Sequence, residues 1–377
     1  MIYLDFAATT KPSKEVLDVF IEVNAKFWAN SDSLHDEGIK AEAVLEQARK
    51  NILENFDTRS QYNLIFSSGA TESNNTVIKS VVNLHKNGKK HIVSSNIEHP
   101  SIREVLFFLQ KEGFDVEFLP VNHEGIVSIE QIKNAVKNDT ILVSIMHVNN
   151  EIGSINNIFE IAKAVKEKNK NAIFHSDFSQ SVGKLSTNLD DSFIDFISFS
   201  GHKIECVKGI GATIFRKNIP IFPLLHGGEQ EFGFRAGTAN PPIAAALAKA
   251  TKTAVKNQKE DYEKTRFLQN ILLENLQNIP EIKINSPKNN SPFILNFSIP
   301  GLKSETILRA LSEKKIYVSA TSACSSKKNA ESFVIKAITN DNNLAKSSIR
   351  VSLAKSLTER EIFIFVNELK NIIEKLL

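Results

Sequence analysis

Between residues 60 and 200, short apolar runs rich in β-branched side chains alternate with helical patterns of ten or more residues. The runs predict strands at 62–67, 91–95, 116–121, 141–147, 172–176 and 193–199, and the patterns between them predict helices such as 71–82, 101–112 and 158–168. Strands buried on both faces read as near-continuous apolar runs, and parallel strands need long crossovers, most often helical. This alternation therefore limits the segment to an α/β fold with a doubly wound, mainly parallel sheet. In such sheets ligands bind beyond the carboxyl ends of the strands, so those ends are where chemistry is sought.

After about residue 245 the pattern changes. A charged helix is expected over 258–278, followed by Pro280, Pro287 and Pro292, strands at 293–297 and 349–353, and a last helix. That helix opens with Thr358 and Glu361 at capping-box spacing and repeats Ile362, Phe365, Leu369, Ile372 and Ile373 on one face. A smaller α+β domain follows from this, formed by 258–377 together with 1–12, beside a large domain over 13–257. The 377 residues are ample for two cores. With 46 basic against 43 acidic side chains and no block of one sign, direct nucleic-acid binding is not expected. No run reaches the roughly 18 to 20 apolar residues of a membrane span, and Asp5 interrupts the place of a signal-peptide core. A cytoplasmic protein without a membrane partner is expected. Two cysteines, Cys206 and Cys324, exclude a disulfide scaffold and a thiolate-built zinc site.

The strand ends carry an unusual set of groups. Lys203 follows the 193–199 strand in Ser-Gly-His-Lys, where burial and nearby cations can turn its ammonium into a nucleophilic amine. Asp177 and Gln180 follow the 172–176 strand. A lysine for an aldehyde and an acid for a ring nitrogen are what pyridoxal phosphate requires. Gly69-Ala70-Thr71 opens a helix after the 62–67 strand, and its free N–H groups suit a phosphate. His99 and Asn150 lie at two further strand ends, the first able to stack on a ring and move protons, the second to donate a hydrogen bond. Arg350 lies in the 349–353 strand and suits a carboxylate. Cys324 sits in a small, polar stretch over 319–329 beside Lys327 and Lys328, the setting of a reactive thiolate, whereas Cys206 reads as structural. Each residue alone has an ordinary reading: a surface lysine, a capping aspartate, a satisfied loop residue, a salt bridge.

As a set, GATESNN (69–75), EHPS (98–101), HVNNEIG (147–153), HSDFSQSVGK (175–184), SFSGHK (198–203), RAGT (235–238), SACSS (322–326) and SIRVSL (348–353) resemble the cysteine desulfurases, class-V aminotransferase-like enzymes of pyridoxal-phosphate fold type I. The resemblance runs from YLDFAATT (3–10) to the last helix. It implies that Lys203 binds the cofactor aldehyde, His99 stacks on its ring, Asp177 holds the pyridine nitrogen, and Gln180 and Asn150 lie near the ring hydroxyl. It implies a phosphate held by Ala70, Thr71, Ser200 and His202, with Thr238 reaching in from the second subunit of a homodimer, and Gly201 also at the cofactor. Arg350, helped by Asn150, would bind the substrate carboxylate, and Cys324 would be the nucleophile.

The implied reaction converts L-cysteine to L-alanine and leaves a persulfide on Cys324 for a sulfur-acceptor protein. The polar stretch around Cys324 resembles the longer type in the family, and the chain ends at Leu377 without the tail of the longer iron-sulfur members, so the resemblance implies tRNA thiolation as the expected route, with iron-sulfur cluster assembly as the alternative. The sequence departs from the family pattern at Phe6, at 28–32, at Ile204-Glu205-Cys206-Val207, and at Glu229 and Phe232. Two other readings stay open at this point: an aminotransferase or lyase on the same fold with Cys324 incidental, and a non-catalytic binding partner.

Overall fold

A computed structural model describes residues 1–377 apart from 59, 86, 87, 89, 191 and 321–330. Its largest sheet has seven strands in the spatial order Tyr62–Ser67, Gly211–Arg216, Phe196–Ser200, Ile173–Asp177, Thr140–Ser144, His91–Ser95, Asp115–Leu119. Gly211–Arg216 runs antiparallel to both neighbours, and the other pairs are parallel. The sheet is therefore doubly wound and mainly parallel. The expected strands at 62–67 and 91–95 and the helix Ile158–Lys168 appear with those bounds, and the other expected strands shift by one to three residues at an end. Gly211–Arg216 was not among the expected strands, because a single six-residue run without a following helix gives no crossover signal.

The strands pack on both faces as their apolar runs require. Leu64, Val143, Phe174, Ile197 and Phe199 lie in one core that reaches the helices Asp36–Glu54 and Pro241–Gln277. A second core joins Leu4, Leu272, Phe297, Val351 and Phe365 around a four-stranded antiparallel sheet ordered Ser319–Ala320, Ser348–Ser352, Ile294–Ser298, Lys283–Ile284. The chain start belongs to this second core, since Ile2–Tyr3 pairs in parallel with Ile316–Tyr317. The Glu359–Leu376 helix opens with the expected capping box of Thr358 and Glu361.

One expectation changes. The charged helix begins at Pro241, not at 258, capped by Asn240 with prolines in its first turn, where their missing N–H groups cost nothing. Its alanine-rich first third packs into the first core and Leu268, Leu272 and Leu276 into the second, so it passes 257/258 without a break. Among the described residues no helix is long and apolar enough to cross a membrane.

Candidate active site

At the carboxyl ends of the sheet strands lies a cavity of about 730 Å³. Ala7 to Thr9, Gly69 to Thr71, His99, Asn150, Asp177, Gln180, Ser200, His202, Lys203 and Arg350 all line it. Gly201 is buried between Ser200 and His202 in the one-turn helix Gly201–Lys203. Residues separated by hundreds of positions thus converge, as strand ends of a doubly wound sheet do. Thr238 does not join them in its own chain; it is exposed on the segment before Pro241. Cys324 lies outside the described residues, but Ser319 and Ala320 before that stretch and Glu331 and Phe333 after it line the same cavity.

The Ala70–Leu84 helix starts at Gly69 with no side-chain cap, so the amides of Ala70 and Thr71 have no intrahelical partner. An ideal Cβ on Gly211 would meet the Gly69 Cα and the Phe199 carbonyl oxygen at 2.6 Å each. Only glycine at 211 lets this loop lie on the sheet edge beside Ser200.

The buried Asp177 carboxylate accepts from the Asn74 Nδ2 at 2.8 Å and from the Ser179 amide at 2.8 Å. His99 caps the Pro100–Lys111 helix, its Nδ1 accepting from the Ser101 amide at 3.2 Å and lying 2.8 Å from the Ser101 hydroxyl. Burial lowers the His99 pKa, Asp177 opposes this, and Lys203 and Arg350 lower it further. His202, 3.2 Å from the Thr9 hydroxyl, is pushed down to about 4 by burial, then by Lys203, Lys208 and Lys184. A neutral imidazole there can still donate to a phosphate.

Lys203 donates from Nζ to the carbonyls of Ala7 at 2.5 Å and Ala8 at 2.7 Å. Gln180 Nε2 shares the Ala7 carbonyl at 3.0 Å, and its Oε1 accepts from Lys184 at 3.1 Å. Burial, with Lys203 and Arg350 nearby, pushes Lys184 down to about 7. Arg350 is buried; its Nη2 donates to Asp5 at 2.9 Å and its Nη1 to the Asn150 carbonyl at 2.9 Å, while Nε has no partner among the described residues. This is a braced guanidinium facing the cavity, not a surface salt bridge. Cys206 is buried, and burial pushes its thiol up to about 12, so it supplies no thiolate at neutral pH.

The altered segment before Thr238 is pinned elsewhere. Glu231 takes Arg49 on both oxygens, at 3.0 and 3.2 Å, and accepts from the Phe66 amide at 2.8 Å; the Phe232 ring lies 4.7 Å from the Arg49 guanidinium carbon. Phe232 therefore covers a buried ion pair.

Residues 2–365 match the model of the family described as aminotransferase class-V. A cysteine desulfurase IscS of Dictyoglomus turgidum is 38% identical over 377 residues, covering 100% of this chain and 95% of the relative. This chain belongs to the cysteine desulfurases of the class-V aminotransferase family. A solved structure named NifS-like protein superimposes with a TM-score of 0.93 at 34% identity over 99% of both chains. Another, named SspA in complex with cysteine, gives 0.83 at 32% identity over 95% of this chain and 100% of that one. The family uses pyridoxal phosphate, and the residues present fit it. The uncapped amides at 70 and 71 suit an anion, and Asp177 is held at the cavity wall by two donors.

Asn74, Ser101, Glu98, Lys184 and Asp5 were not singled out as site residues from sequence. Asn74 and Ser101 lie inside quoted motifs, and their only signal was position: one turn into the Gly69 helix and two residues after His99. Glu98 is fully buried, its Oε1 accepting from the Ser95 hydroxyl at 2.6 Å and the Met146 amide at 3.0 Å, and Oε2 has no partner among the described residues. Burial, with Asp177 adding to it, pushes its carboxyl up to about 8. The folded chain therefore holds this proton where the unfolded chain releases it. Its stabilising contribution is present below 4.5 and lost as pH rises toward 8, at up to about 1.4 kcal/mol per pH unit. Glu98→Gln, which keeps an acceptor for both donors, is expected to flatten that part of the stability profile; denaturant titrations of both proteins at pH 5 and 8 check it.

Proposed function

We propose that this protein removes sulfur from L-cysteine, releases L-alanine and carries the sulfur as a persulfide on Cys324 to an acceptor protein. The observation that carries the reading is one cavity lined by Lys203, Asp177, His99 and Arg350 together with both flanks of the stretch that bears Cys324. Cys324 is four residues past Ala320 in the sequence.

Pyridoxal phosphate, when bound, supplies the electron sink that makes bonds at Cα and Cβ of the substrate breakable. Ala70, Thr71, Ser200 and His202 would bind its phosphate, with Gly201 beside them, Asp177 its pyridine nitrogen, Gln180 and Asn150 its ring hydroxyl, and His99 would cover its face. Lys203, whose Nζ lines the cavity beside the Ala7 and Ala8 carbonyls, is the amine that would hold the cofactor aldehyde. Arg350 holds the substrate carboxylate, with Asp5 and the Asn150 carbonyl fixing the guanidinium plane. The Cys324 thiolate then attacks the substrate sulfur. An S–S bond forms, the Cβ–S bond breaks, and its electron pair takes up a proton at Cβ, so that cysteine and enzyme thiol become alanine and enzyme persulfide.

The reading includes a cytoplasmic homodimer. Thr238 lies exposed and away from its own cavity, free to complete a neighbour's phosphate site, and Trp28 and Leu34 are 76% and 95% exposed, an apolar surface of the kind a second copy covers. The acceptor belongs to tRNA thiolation or to iron-sulfur cluster assembly.

Single-turnover incubation with sulfur-labelled L-cysteine tests the reaction. The expected result is one protein-bound label per alanine formed, released by a thiol reductant and passed on to an added acceptor. Alanine without bound label, or a keto acid as the product, rejects the reading in favour of a lyase or aminotransferase.

A further inference from the structure

The Asp177 carboxylate is an acceptor only, and this one property sets every donor behind it. Asn74 is buried and must turn its amide nitrogen toward Asp177, at 2.8 Å. Its second amide hydrogen points to the Ser101 hydroxyl oxygen at 2.9 Å. Ser101 Oγ therefore accepts from Asn74, and its single hydrogen is left for His99 Nδ1, 2.8 Å away. The Ser101 amide also donates to Nδ1, at 3.2 Å. Two donors on one ring nitrogen leave no room for a proton there. Nε2, in contrast, has no partner among the described residues, and the ring lines the cavity. The arrangement is maintained at a cost: the Asn74 side-chain amide oxygen, Oδ1, is buried with no partner among the described residues.

We propose that Asn74 and Ser101 act as a tautomer clamp that fixes His99 as a neutral imidazole with its proton on Nε2, so that the ring presents a hydrogen-bond donor, and not a proton carrier, to the cavity. This rests on the reading of the cavity as the cofactor site. A neutral imidazole gives up its last proton only with great difficulty, and a bare Nδ1 already holding two donors does not take one in, so a proton relay through the ring is blocked. Movement of the substrate Cα proton then falls to the Lys203 amine once it is released. The fields on the ring come from Asp177, Lys203 and Arg350, and Glu104 and Lys79 share the groove on its outer side. Asp177 alone favours an imidazolium, and the two cations together with burial oppose it. Asn74 and Ser101 are positioning residues; neither is assigned contact with the substrate.

The test is nitrogen NMR of histidine-labelled holoenzyme, tractable with 9 histidines and with His99→Gln to assign the signals. The expected wild-type spectrum has Nε2 protonated and Nδ1 bare at neutral pH. Ser101→Ala, which keeps the backbone donor and loses the hydroxyl, is expected to raise the His99 titration midpoint by about one pH unit, and Ser101→Thr to restore it. A proton on Nδ1 or an imidazolium in the wild type overturns the proposal and needs no variant to fold. So does an unchanged midpoint in Ser101→Ala. The spectra do not depend on sulfur transfer: labelled cysteine run on the same sample reports separately on the desulfurase reading, and an intact Nε2–H form without sulfur transfer supports the clamp while rejecting that reading.

Discussion

Cys324→Ser is expected to lower alanine formation from L-cysteine by about 10³-fold or more while leaving the visible absorption of the bound cofactor in place. The step at stake is attack on a sulfur atom by an ionised chalcogen. An unperturbed thiol is ionised to a few per cent at pH 7, whereas a serine hydroxyl is effectively never ionised, so the loss is one of nucleophile and not of binding. Lys327 and Lys328, close in sequence, would increase the thiolate fraction. No second thiol can substitute. Cys206 is fully buried under the site, and its thiol, pushed up to about 12, stays protonated. Alanine release and protein-bound sulfur, measured together at matched cofactor occupancy, decide the matter. Undiminished alanine formation by the serine variant would remove Cys324 from the mechanism and restore the lyase reading.

Lys203→Ala is expected to be as severe, about 10³-fold or more in alanine formation, for a different reason. The amine forms the covalent link to the cofactor aldehyde, and with the link absent borohydride no longer fixes the chromophore to the protein. Lysine also has a structural contact here, its Nζ bound to the carbonyls of Ala7 and Ala8, which ties the chain start to the site. Lys203→Arg separates the two roles, since arginine keeps a cation for those carbonyls but offers no nucleophilic amine. Loss of borohydride fixation in both variants, with the thermal midpoint of the arginine variant near that of the wild type, is the expected pattern. Retained fixation in either one would move the cofactor lysine elsewhere.

The strand ends were legible from sequence because each is a local signal: an apolar run that stops, then a polar group. Tyr62–Ser67, His91–Ser95 and Ile158–Lys168 have the bounds that periodicity assigns them. Where neighbouring signals overlap, the reading failed. The helix expected from 258 starts at Pro241 because alanine-rich turns carry little amphipathic contrast, although they pack well. Gly211–Arg216 escaped because an antiparallel partner needs no helix to announce it. Asn74 and Ser101 escaped for a deeper reason. Nothing within either residue's own neighbourhood says that the other lies 2.9 Å away, 27 positions along the chain.

The order of apolar runs and helices determined the class of sheet, and with it the side of the sheet where Lys203, Asp177, His99 and Asn150 had to emerge, because side-chain periodicity and crossover length are properties of the local chain. Tertiary structure alone decided which hydrogen bonds those groups make: Asp5 bracing Arg350, Glu98 buried with its proton, Cys206 sealed under the site, and the donor chain from Asn74 to His99. Hydrogen bonds and pKa shifts depend on distances of about 3 Å and on the exclusion of water, and both exist only once distant segments have packed together.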